Sequence, residues 1–228
     1  MKMKSIAVKP NDFIKTSAKT MTDVLEQHRA RMYFGEGLPE GYDEAVLDNQ
    51  GMPHEKPNLY MADNGQMWRD RSRQIGAIDT ERTKVVYGML GTGAPKDSQK
   101  KPTWKPIELN GMSVLCATDF AVIALSSLTN DPIETSNNIL MSTIGRVRNT
   151  DQVFDGEKML DVGRAPIMAE VIEADIRLKT VHGKKMKIWG INAEGMYAGL
   201  VPSTYEDGYL CFHVGKDDPA CYYLIVKE

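Results

Sequence analysis

The residues able to do chemistry in this 228-residue chain are acids, histidines, cysteines and a few aromatics, and their spacing decides what each can do. The carboxylates Asp63, Asp70, Asp79, Glu134, Asp161, Glu170 and Glu173 are the candidates for acid–base work, which needs two such groups brought together in space. Asp63 and Asp161 also suit a structural role, capping turns through side-chain to backbone hydrogen bonds. His28, His54, His182 and His213 show no ligand spacing with one another or with cysteine, so no metal site is expected. His213 falls on the polar side of a predicted strand and reads as an exposed histidine. No Gly-x-Ser-x-Gly elbow is present. Gly91-Thr-Gly-Ala-Pro-Lys96 lacks the Lys-Ser/Thr pair and the following helix of a phosphate loop. No catalytic residue and no cofactor is therefore assigned.

Cys116, Cys211 and Cys221 leave one thiol unpaired in any scheme. Cys116 lies in an apolar run and reads as a small buried hydrophobe, while Cys211 and Cys221 could be strand neighbours.

Aromatic side chains offer a second chemistry, because an exposed ring is a flat apolar plate on which the C–H face of a sugar can stack. Trp68 follows a tight turn and has Gln66, Arg69 and Asp70 beside it, so polar partners for hydroxyls are at hand. Trp104 sits between prolines in a loop, where burial is hard to arrange. If a sugar binds, Trp68 and Trp104, helped by Arg69 and Gln66, are the residues expected to carry it, with a structural role the alternative for each tryptophan. Trp189, near Ile188 and Ile191, reads as core; the Tyr222-Tyr223 pair should place one ring on each face of a sheet.

Composition narrows the partners. A net charge of −3 gives no electrostatic drive towards nucleic acid or an anionic membrane. No apolar stretch approaches a signal peptide or a membrane span, so a soluble chain is expected. The fourteen methionines are scattered and read as core filler.

The elements that must position these residues are mostly strands. Ile6 and Val8 suggest one strand, and 20–32 reads as a short helix with Thr22 as N-cap and Val24, Leu25 and His28 on its inner face. A long Gly/Pro-rich loop covers 35–57. Beyond it, strand candidates are 74–79, 82–89, 112–117, 120–128, 138–145, 172–179, 186–191, 197–202, 210–214 and 221–227. Turn dipeptides punctuate them: Asn64-Gly65, Asn110-Gly111, Asp155-Gly156, His182-Gly183, Glu194-Gly195 and Asp207-Gly208. The expected fold is mostly β, a β-sandwich or jelly roll over 58–228, preceded by a strand-helix-loop segment over 1–57.

Several clusters carry a resemblance: Asp79-Thr80 with Arg82-Thr83 and Gly88; Leu140 with Gly145, Arg146, Asn149 and Thr150; Asp161 with Gly163, Ala165, Pro166 and Glu170. Over roughly 60–228 the chain resembles the β-rich region that follows the (β/α)₈ catalytic barrel in a group of large bacterial glycoside hydrolases. Glu81, Lys84 and Val162 depart from that pattern, where proline, glutamine and tryptophan are usual. In the resembled enzymes the catalytic acids lie on the barrel, which this sequence lacks. The resemblance implies a non-catalytic carbohydrate-binding or accessory module with a polysaccharide or oligosaccharide as partner. Its rivals are a hydrolase using paired carboxylates, and an interaction module that docks on a separate catalytic barrel protein.

Overall fold

The computed structural model describes residues 5–11, 24–44, 58–91 and 105–228. Trp104, His54 and the expected N-cap Thr22 lie outside the described residues. The chain forms two compact units, Met1–Asp79 and Thr80–Glu228, so the strands of 58–79 group with the N-terminal segment.

In the first unit, β1 (Ser5–Val8), β2 (Arg29–Met32) and β3 (Asp43–Glu44) form a small parallel sheet with β1 central. Of the helix expected over 20–32, residues 20–23 lie outside the described residues, 24–27 are helical, and 29–32 are strand. Lying beside β1 in register Ser5↔Arg29 to Val8↔Met32 gives those residues a ladder that a last helical turn could not. The buried face of the turn is Val24, Gln27 and His28, the i, i+3, i+4 set, whereas Leu25 is half exposed. A meander follows: β4 (Leu59–Met61), β5 (Met67–Asp70) and β6 (Ile75–Asp79).

The second unit is a β-sandwich. Its strands are β7 (Thr83–Gly88), β8 (Ile107–Leu109), β9 (Met112–Cys116), β10 (Ala121–Ser127), β11 (Asn138–Ile144), β12 (Val147–Thr150), β13 (Val153–Asp155), β14 (Lys158–Asp161), β15 (Arg164–Ala169), β16 (Ala174–Lys179), β17 (Met186–Ile191), β18 (Tyr197–Val201), β19 (Ser203–Glu206), β20 (Tyr209–Val214) and β21 (Tyr222–Lys227). Within this unit one sheet runs β18-β17-β21-β11-β10-β7, and a five-stranded sheet runs β19-β20-β16-β9-β8.

The core follows from alternation. Ile123 and Leu125 of β10, Ile139 and Met141 of β11, Ile188 of β17 and Ile225 of β21 are fully buried from one sheet. Met112, Val114, Ile176, Leu178, Leu210 and Val214 are buried from the other. Each such side chain contributes about 1.5–3 kcal/mol by leaving water. The stretch 120–128 is flanked on both sides, by β7 and β11, as expected of a central strand, but its outward residues Val122 and Ala124 are only half-buried.

Turn chemistry agrees with the dipeptides. Gly65, Gly111, Gly156, Gly183, Gly195 and Gly208 all take the left-handed region, with Asp207 (φ 50°) and Gly208 (φ 86°) both there in the hairpin joining β19 to β20. The sequence reading places no strand between 146 and 171, yet β12 pairs with β15 and β13 with β14 there, forming an arm. Alternation is unreadable in this arm because apolar residues occur on both faces. Val147, Phe154, Leu160, Val162, Ile167 and Met168 are all exposed.

Candidate functional site

The residues nominated from sequence separate in space. Trp68 and Arg69 are consecutive on β5 and face opposite sides of the meander. Trp68 is half-buried opposite Met61 and Ala77; Arg69 is half-buried, lies 5.7 Å from the Tyr60 ring and is ion-paired to Glu26 at 2.6 Å. Gln66 is exposed in the preceding turn, where its side-chain carbonyl accepts the Asn64 amide at 2.9 Å. Asp63 Oδ2 lies 2.6 Å from His28 Nδ1, and in the turn that follows Asn64 Oδ1 accepts the Gln66 N–H at 3.1 Å.

Another aromatic group is better exposed, and it lies on the outer face of the sandwich. Trp189 is not core. Met186, Ile188 and Gly190 of β17 point inward, which sends Lys187, Trp189 and Ile191 outward. Cross-strand partners share a face, so register reads off the surface. One row is Leu200–Trp189–Leu224–Leu140, across β18, β17, β21 and β11. The next is Tyr197–Ile191–Tyr222–Ser142. Tyr197 is 61% exposed and Tyr222 49%, while Tyr223, its chain neighbour, is 1% exposed. The Trp189 and Tyr197 rings lie 5.2 Å apart at 35°, a tilted pair that stiffens both.

This surface runs into a cavity of about 490 Å³. Ile191 and Tyr222 belong to both, and Thr143, Ala169, Glu170, Val171, Asn192 and Pro219 complete much of the wall. Glu170 closes the root of the arm, where its Oε2 accepts the Arg146 N–H at 3.2 Å. Gly145 makes that closure possible, since a Cβ there would sit 2.8 Å from Ile172 Cδ1 and 3.1 Å from Glu170 Cβ.

Several other polar groups hold the fold. Asp161 caps its turn as expected, with Oδ1 accepting the Gly163 N–H at 2.8 Å. Asp70 accepts the Ser72 hydroxyl at 2.6 Å and the N–H groups of Ser72 and Arg73; these bonds, the hydroxyl first, lower its pKa. Glu134 pairs with Lys179 at 3.1 Å. His213, exposed as expected, bridges Asp175 at 2.9 Å and Glu173 at 3.2 Å. Burial pulls its pKa down, but the two carboxylates outweigh that and raise it. Cys211 and Cys221 are not strand neighbours: Cys211 is on β20 of the five-stranded sheet, Cys221 immediately precedes β21 of the other, and all three thiols are free. Cys116 is buried, which pushes its pKa up to about 11. Among the described residues no cluster of three or more His, Cys, Asp or Glu is arranged to hold a metal, and no helix is long and apolar enough to cross a membrane. Compared with family models, curated proteins and solved structures, the chain shows no match.

Proposed function

We propose that this protein is a non-catalytic carbohydrate-binding module, akin to the accessory β region that follows the barrel of bacterial glycosidases. The observation that carries the reading is an aromatic patch on one outer sheet face, where exposed Tyr197 and Tyr222 lie in the row next to that of the half-buried Trp189. Sheet strands hold these rings at fixed spacing, so the entropy of ordering a binding surface is already spent before ligand arrives. Apolar Leu200 and Leu224 flank Trp189, giving a platform that matches the C–H faces of consecutive sugars.

Titration calorimetry against a panel of soluble polysaccharides tests this. Trp189→Ala and Tyr197→Ala should each weaken binding by about tenfold or more. The melting temperature should barely move, because neither ring fills the core. Trp68→Ala serves as the parallel variant; a loss there, with Trp189→Ala silent, would place the ligand on the first unit instead. Absence of binding to every glycan would end the carbohydrate reading.

The exposed apolar arm favours a second reading, in which the module docks on a separate catalytic barrel protein. Co-purification with such a protein, lost in Phe154→Ser and Leu160→Ser, is the outcome that reading requires.

A further inference from the structure

We infer that the cavity beside Tyr222 binds one neutral pyranose residue of the glycan and rejects acidic sugars. This rests on the carbohydrate-binding reading above and specifies the chemistry of its ligand.

Size sets the first constraint. A volume of 490 Å³ lies within the roughly 300–1,000 Å³ of small-molecule sites, large enough for a sugar ring and its hydroxyls. The lining sets the second. Ile191, Ala193, Pro219 and Ala220 make apolar walls, and Tyr222 offers a half-exposed ring for stacking.

Two exposed polar groups on the lining remain available. Asn192 Oδ1 accepts the N–H groups of Glu194 at 3.1 Å and Met196 at 2.8 Å. Those two bonds assign the amide orientation and leave Nδ2 as a donor with no partner among the described residues. Glu170 is anchored through Oε2 by the Arg146 N–H, and its Oε1 has no partner among the described residues. An exposed donor and acceptor beside apolar walls suit a hydroxylated ring, whose every hydroxyl can serve either one.

Charge decides the class. Glu170 is the one Asp or Glu among the residues lining the cavity. No Lys or Arg lines the cavity to receive a uronic acid or a sulfated sugar. A ligand carboxylate would meet the Glu170 carboxylate with nothing to offset it, whereas a neutral ring donates a hydroxyl to it.

The test compares neutral with uronic-acid polysaccharides on the whole protein. Neutral glycans should bind, and uronic-acid polymers should bind at least about tenfold more weakly. Glu170→Gln should weaken the neutral ligand and shrink that preference, while Tyr222→Ala and Asn192→Ala each weaken binding with the preference kept. Cys221 supplies an independent readout: it is exposed on the cavity wall, so saturating neutral glycan should slow its alkylation by iodoacetamide. Tighter binding of an acidic polymer overturns the inference and leaves the module reading intact. So does binding that needs Trp189 but ignores Tyr222, Asn192 and Glu170 and leaves Cys221 unprotected. Failure to bind any glycan overturns both.

Discussion

Ile188 and Trp189 are neighbours in the chain and have opposite fates. Ile188 is fully buried, Trp189 looks outward, and the pleat of a strand is the whole reason. The same rule separates Tyr222 from Tyr223. Residues behind the glycosidase resemblance prove to be structural at this scale. Thr80 takes the Thr83 N–H at 2.9 Å, Arg82 donates to the Thr129 carbonyl at 3.0 Å, and Asn149 donates to the Val162 carbonyl at 2.9 Å. Gly163 sits at φ 73° against the Thr150 carbonyl, where a Cβ has no room. His213 supports a pH prediction. Its folded pKa lies above the unfolded value near 6.5, so its stabilisation is complete below that value and is lost as pH rises through the folded pKa. His213→Gln should therefore lower the melting temperature more at about pH 5.5 than at about pH 8.5. With the side chain half exposed, screening keeps the difference under about 1 kcal/mol. A gap that widens towards high pH would contradict the carboxylate bridge.

Elements differ in how much of themselves they bury. Strand β10 is flanked on both sides and sends Ala121, Ile123 and Leu125 into the core at 0% exposure. Leu125→Ala should cost about 2–5 kcal/mol in denaturant unfolding, since it loses both transfer free energy and packing around the void. A cost below about 1 kcal/mol would mean that the two sheets do not pack there. The arm of β12 to β15 behaves differently. It is tied down by backbone pairing and by bonds such as Thr150 Oγ1 to the Pro166 carbonyl at 2.8 Å, with little apolar burial of its own. Its root positions Glu170, so the arm matters to the cavity through one residue.

For the whole molecule, stability and binding are linked. A ligand that binds only the folded state stabilises it by about 2.7 kcal/mol at a concentration of 100 times its Kd. A neutral glycan bound at the Trp189 face should accordingly raise the melting temperature in a concentration-dependent way. Trp189→Ala should abolish the rise without shifting the ligand-free value. A ligand-free melting temperature that drops sharply would mark the ring as structural. Net charge of −3 accords with this choice of ligand, because a neutral sugar needs no electrostatic steering.

Sequence alone determined the elements that local rules govern. Period-two alternation marked Ile172 to Leu178 and Leu210 to Val214, and the six turn dipeptides marked five hairpins and the link from β16 to β17, their glycines all at left-handed φ. The two tyrosines at 222 and 223 were legible for the same reason, and alternation from Ile188 contained the signal that Trp189 faces out. Tertiary structure decided everything that depends on which strands meet. Tyr197 and Tyr222 stand 25 positions apart in the chain and join one surface only because β17 pairs with both their strands. Glu170 and Asn192 reach one cavity from the arm root and from the turn after β17. Pairing register is a long-range choice, set by how two sheets bury their faces together, and no local pattern in the chain encodes it.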